Sequence, residues 1–125
     1  MTDAQPRPTE IKLHKESRTL SIKFDDDKEF ELSCEYLRVF SPSAEVQGHG
    51  PGEGILQVDK EDVGIKQIEP VGNYAVQIYF DDDHNTGIYS WDTLYKLGTN
   101  KAHNWQEYMD RLEKAGAPHS QLRKR

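Results

Sequence analysis

The sequence predicts a small α+β domain: an antiparallel sheet of hairpins or a meander, with two C-terminal helices packed on one face. Three observations predict it. Apolar residues alternate with polar ones in the first third and again past the middle of the chain. Clusters of aspartate, glycine and proline punctuate those runs, and toward the C-terminus the apolar spacing becomes helical. Strands first and helices last give a sheet with helices segregated to one side.

Each element follows from its residues. Ile11 and Leu13, then Leu20, Ile22 and Phe24, alternate as half-buried strands do. The polar break from His14 to Arg18 makes them a hairpin. Asp25-Asp26-Asp27-Lys28 is a turn, after which Phe30 and Leu32 resume the alternation and complete a meander. Leu32 to Phe40 is a short helix or a strand carrying Tyr36 and Leu37 inward. Ser41 to Gly54 is rich in glycine and proline, resists regular structure on entropic grounds, and is expected to be a long loop. Ile65 and Ile68 lead to a turn at Pro70 to Asn73, where Gly72-Asn73 suits positive φ. Tyr74, Val76, Ile78 and Phe80 then repeat with period two, and a turn from Asp81 to Gly87 leads to Ile88 and Tyr89. Ser90 caps a helix holding Trp91, Leu94 and Leu97, ended by Gly98. Thr99 or Asn100 caps a second, in which Trp105, Tyr108, Met109 and Leu112 form one apolar stripe that Gly116 and Pro118 stop. The organisation expected is one domain over 10–117, a disordered lead-in over 1–9 and a disordered basic tail over 118–125.

Composition narrows the function. A chain of 125 residues fits a single core of modest size. No apolar run is long enough to span a membrane, and the N-terminus lacks the pattern of a signal peptide. A net charge of −6 argues against nucleic acid as a partner, because phosphate neutralisation needs a basic face. The basic run Arg123-Lys124-Arg125 reads as a solvated terminus. Cys34 is the single cysteine, so no intrachain disulfide forms, and a cytoplasmic location is expected.

Few groups point to chemistry. Asp25-Asp26-Asp27 and Asp81-Asp82-Asp83-His84 could hold a hard cation, but consecutive strand residues face opposite ways and aspartate favours turns. His14-Lys15-Glu16 has the spacing of one arm of a facial iron triad, here as an isolated tripeptide. The glycines from Gly48 to Gly54 lack the lysine and hydroxyl residue that complete a phosphate loop. Cys34 has no activating base nearby in sequence and reads as a buried, inert thiol. Trp91 and Trp105 sit on helical stripes and read as core.

Tyr36-Leu37-Arg38, the run from Ser41 to Gly50 (Ser-Pro-Ser-Ala-Glu-Val-Gln-Gly-His-Gly), Phe80-Asp81-Asp82-Asp83-His84 and Gly87-Ile88-Tyr89-Ser90-Trp91 together resemble the gamma-butyrobetaine hydroxylase-like N-terminal domain family. The resemblance spans roughly Ile11 to Gly116. It implies a module found alone in bacteria, in front of carnitine-pathway dioxygenases, and fused to P-loop ATPases that carry iron–sulfur clusters. In the dioxygenases the module holds zinc through three cysteines and a histidine. With register set by Leu37-Arg38, those places fall on Ser41, Ser43, Val46 and His84. Serine is a poor zinc ligand at neutral pH and valine is none, so the resemblance implies a lost site. Iron and 2-oxoglutarate belong to a separate C-terminal domain in those relatives, and no such domain is expected before Arg125.

The function expected is therefore that of a non-catalytic accessory or protein-interaction domain, without a cofactor. Its partner would be an unidentified protein, with iron–sulfur or metal-handling proteins implied by the fusions, and neither nucleic acid nor a membrane. Its binding loop would run from Ser41 to Gly54, with Ser41, Ser43, Glu45, Gln47, His49 and Glu53 as contact residues. The alternative is a zinc or iron protein with a rearranged site around His84, using Cys34 and His49 as further soft ligands and Asp82 or Asp83 as hard ones.

Overall fold

The computed structural model describes residues 6–42, 57, 59–82 and 87–123. In chain order these form β1 (Pro8–His14), β2 (Thr19–Phe24), β3 (Glu29–Ser33), α1 (Cys34–Val39), β4 (Ile65–Val71), β5 (Ala75–Phe80), β6 (Ile88–Ser90), α2 (Trp91–Thr99), α3 (Lys101–Ala115) and a short α4 (Ser120–Arg123).

The strands build two antiparallel three-stranded sheets, β1-β2-β3 and β4-β5-β6, where the alternation suggested one. Alternation fixes which side chains point inward, and it is silent on which strands pair. In the first sheet the register aligns like with like. Ile11, Ile22 and Phe30 form one rung and Leu13, Leu20 and Leu32 the next, while Lys12, Ser21 and Glu31 share a polar rung on the other face. Burying Leu20, Ile22 and Leu32 completely contributes about 2 kcal/mol each. The hairpin turns use left-handed backbone at Arg18 (φ 55°) and Asp27 (φ 69°). At the second turn, Asp26 Oδ1 accepts the Lys28 backbone N–H at 3.0 Å, as aspartate turns do.

In the second sheet β5 is central. Ile78 lies opposite Ile68, and Val76 lies between Pro70 on β4 and Tyr89 on β6. Pro70 is tolerated because β4 is an edge strand. The turn sits at 72–74, with Gly72 at φ 56°, one step later than the alternation indicates. Tyr74 is consequently outside the strand and 58% exposed, not an inward residue.

The segment left open between helix and strand is helical. Ser33 Oγ accepts the Tyr36 N–H at 3.0 Å and caps α1, all six residues of which are buried. Ser90 caps α2 in the same way, through the Thr93 N–H at 3.1 Å. Gly98 does not end α2, which runs on to Thr99. A β-carbon at Gly98 would lie 2.4 Å from the Phe30 ring, so this glycine lets the helix settle on the first sheet. Asn100 precedes α3 but makes no capping bond; its side chain instead donates to the Lys96 carbonyl at 3.0 Å. Gly116 (φ 69°) closes α3, and the Ala117 N–H donates to the Leu112 carbonyl at 2.9 Å.

One core joins both sheets, α1 and α2. A smaller cluster forms where Val39 of α1 meets Tyr108, Met109 and Leu112 of α3. The expected disordered tail begins too early. Beyond Pro118, His119 is 3% exposed and Leu122 packs on the smaller cluster, because the stripe of α3 offers more apolar surface than α1 alone covers. The lead-in also ends sooner than expected, since β1 starts at Pro8.

Candidate functional site

The buried helix α1 organises the polar interior, since four of its residues each reach a different part of the chain. Glu35 Oε2 meets His119 Nε2 at 2.8 Å, in a pair hidden from solvent. The Tyr36 hydroxyl donates to the Leu97 carbonyl at 2.6 Å and accepts from Asn104 at 3.0 Å. The Leu37 carbonyl accepts from the Tyr89 hydroxyl at 2.6 Å. Arg38 Nε donates to Asp82 Oδ2 at 2.9 Å, and Lys60 Nζ donates to the same oxygen at 2.7 Å.

Around His119 the network is dense. Its ring stands edge-on to Trp105 and Tyr108, at centroid distances of 5.9 and 6.3 Å. His119 Nδ1 accepts the Gln121 N–H at 3.1 Å, so the ring proton belongs on Nε2 and points at Glu35. Glu61 accepts the Ser120 N–H at 3.0 Å, and Gln121 accepts from the Trp105 indole at 2.9 Å. Burial pushes the Glu35 carboxyl up, opposed by the hydrogen bond from His119. Burial also raises the Tyr108 hydroxyl, helped by the nearby charge of Glu35.

Those of the residues singled out from sequence that are described do not gather into one site. Cys34 is buried, and burial pushes its thiol up to about 11, so it is protonated at neutral pH and a poor nucleophile. No group of three or more His, Cys, Asp or Glu among the described residues could hold a metal ion. The acidic turns serve separate ends. Asp25 accepts the Arg7 N–H at 3.2 Å, Asp26 accepts the Tyr95 hydroxyl at 2.6 Å, and Asp82 binds Arg38 and Lys60. Ser41 is fully buried, which removes it from any exposed binding loop. It lies beside Gly87, where a β-carbon would come within 2.5 Å of Ser41 Oγ, and it hydrogen-bonds Tyr89. Ser43, Glu45, Val46, Gln47, His49, Glu53, Asp83 and His84 lie outside the described residues.

Sequence reasoning missed both buried charge clusters. Glu35 and Arg38 carried a signal, since each is a charge flanked by apolar or aromatic residues and such charges need partners. His119 carried none, because it follows the helix stop and its contacts are all tertiary.

The chain matches the family model described as gamma-butyrobetaine hydroxylase-like, N-terminal, over residues 11–95. It belongs to that family. Solved structures agree. Two proteins known from NMR solution structures are 50% and 45% identical, with TM-scores of 0.80 and 0.78. The first match covers 95% of this chain and 90% of the other, the second 91% and 90%. A crystal structure of a protein of unknown function from Acidithiobacillus ferrooxidans, in the DUF971 family, is 36% identical with a TM-score of 0.64, covering 76% of this chain and 98% of its own. No curated protein matches.

Within the gamma-butyrobetaine hydroxylase-like N-terminal family, the zinc places implied by the resemblance can be tested on Ser41. A hydroxyl stands where a thiolate would be needed, and it is engaged with Tyr89 and pressed against Gly87. Together with serine and valine at the next two places, this donor set does not fit the family's zinc.

Proposed function

We propose that this domain is a non-catalytic accessory module that docks to a protein partner, and that iron–sulfur or metal-handling proteins are the partner class. The observation that carries the reading is the apolar edge of the second sheet. Tyr74 and Ile88 are the large apolar side chains left exposed among the described residues, at 58% and 46%. Tyr74 and the half-buried Trp91 line a groove of about 370 Å³ with Pro6, Arg7 and Asp92. Exposed apolar surface at the β4–β5 turn and on the neighbouring edge strand β6 suits docking better than chemistry. The partner class rests on the fusions implied by the family, an argument by analogy that the groove supports and does not replace. Absence of a cofactor and a cytoplasmic location belong to the same proposal. Its support is the poor donor set at the zinc places and a single thiol kept protonated by burial. No helix among the described residues is long and apolar enough to cross a membrane.

The test is an amide NMR titration with a purified iron–sulfur carrier protein, apo and cluster-loaded. Saturable shifts around Tyr74, Ile88 and Trp91, lost in a Tyr74→Ser/Ile88→Ser variant that keeps its native spectrum, support the reading. Binding unaffected by that variant, or no binding of either form, overturns it.

A further inference from the structure

At the end of α1 two cations converge on one carboxylate oxygen. Arg38 and Lys60 are both charged, and both donate to one oxygen of Asp82. Three further described carboxylates of the same segments are engaged elsewhere. Asp81 lies against Gly64 on the Cys34 side, Glu61 holds the Ser120 N–H, and the charge of Asp59 acts on Tyr108. Arg38 Nη1 is buried without a hydrogen-bond partner among the described residues, on a side chain only 9% exposed. An interior guanidinium N–H with no acceptor is unusual, since buried donors are nearly always satisfied.

We propose that Arg38 and Lys60 form a binding site for a small oxyanion, a carboxylate or phosphate group, with Arg38 Nη1 and Lys60 Nζ as its donors and Asp82 holding both. The guanidinium is suited to the task because its planar fork presents several donors, and Nη1 stands without an acceptor while Nε is held by Asp82. An oxyanion supplies the missing acceptor and, unlike a water molecule, brings a charge that both cationic donors attract. A metal cation would face two cationic donors there. Entry is from the side of Lys60 and Asp82, whose side chains keep 22% and 21% of their surface, and the flexible lysine stem is the part that yields. The site uses none of the residues of the Tyr74 groove, so it stands whether or not a partner docks there.

The experiment is a titration of the folded protein with inorganic phosphate and, separately, with acetate at constant ionic strength. It follows the Arg38 side-chain Nε–H and the backbone amides of Arg38, Lys60 and Asp82 by NMR. Saturable shifts confined to these groups are expected with at least one anion. Response to phosphate identifies a free phosphate or phosphoryl ligand as the source, and response to acetate alone identifies a carboxylate such as an acidic side chain. Lys60→Gln, at a partly exposed position, should weaken binding at least tenfold with the native spectrum retained. Arg38→Lys, which keeps the charge and loses the fork, should do the same if it folds. No saturable shift with either anion, shifts spread over all basic residues, or equal affinity in Lys60→Gln overturns the assignment.

Discussion

Removing the imidazole of His119 is the most informative single change, because it strands a buried carboxylate. Glu35 and His119 are both buried, and their contact is 2.8 Å. Deleting one partner of a buried pair leaves the other charge uncompensated, at a cost of about 3–5 kcal/mol. Some of that is recovered because Glu35 can take up a proton, so His119→Ala should destabilise by about 3 kcal/mol near neutral pH. The dependence on pH has a definite sign. Burial already raises the Glu35 pKa in the fold, and His119 restrains that rise. Without His119 the folded-state value climbs further above the unfolded one. The folded variant then binds more protons than the unfolded chain, and its stability falls as pH increases through that window. The variant should therefore lie closer to wild type at acid pH than at mildly alkaline pH. Urea denaturation followed by tryptophan fluorescence measures this directly, since the Trp105 ring stands 5.9 Å from His119. In a cycle with Glu35→Gln, the double variant should lose less than the sum of the two singles. A loss below about 1 kcal/mol, or an equal loss at both pH values, would refute the argument that this pair holds the C-terminal segment.

Three further outcomes test other parts of the fold. Gly98→Ala should lower stability by about 1–3 kcal/mol despite alanine's better helix propensity, because the new methyl meets the Phe30 ring; a thermal melt unchanged or raised would contradict the packing. Cys34, with its pKa near 11, should react with a disulfide reagent only at the rate of global or local opening, and fast labelling of the folded protein would contradict its burial. Tyr95→Phe should let the Asp26 pKa rise toward that of an ordinary carboxyl, since the Tyr95 hydroxyl is the main cause of its depression. Carboxyl NMR across acid pH reads that change, and an unmoved titration would show the bond is not made.

What the sequence disclosed was local, and what it hid was tertiary. The Ile11, Leu13, Leu20, Ile22 and Phe24 alternation, the aspartate turn and the Ser90 cap are set within a few residues, and each stands in the structure. Gly98 misled because a glycine after a helical stripe usually signals an end, whereas here it answers to Phe30. Tyr74 misled because period two continued past the point where Gly72 turns the chain. The split into two sheets could not be read, since pairing between distant strands leaves no mark on either one alone. The same holds for the site. Arg38 in an apolar stretch announces that a partner exists, but Asp82 becomes that partner only once β5 is placed, and Lys60 only once the chain has returned.

The zinc places implied by the resemblance lie just past α1 and past β5 in the sequence. A zinc held by residues near the end of α1 and a histidine after β5 would staple those elements together and contribute folding free energy outright. In this chain the same elements are joined by protein groups. Arg38 reaches from α1 to Asp82 just past β5, and Tyr89 on β6 returns to the Leu37 carbonyl. Ser41 packs between Tyr89 and Gly87, so the position that would carry the first thiolate becomes part of the seam. Each bond is worth less than a metal: about 1 kcal/mol for a neutral hydrogen bond, and up to about 3 for one to a charged group. Several act together on a helix that is wholly buried, where each must be satisfied for the others to be tolerated. Among the described residues Arg38 Nη1 is a buried donor at that seam without an acceptor, which is where an anion has reason to bind.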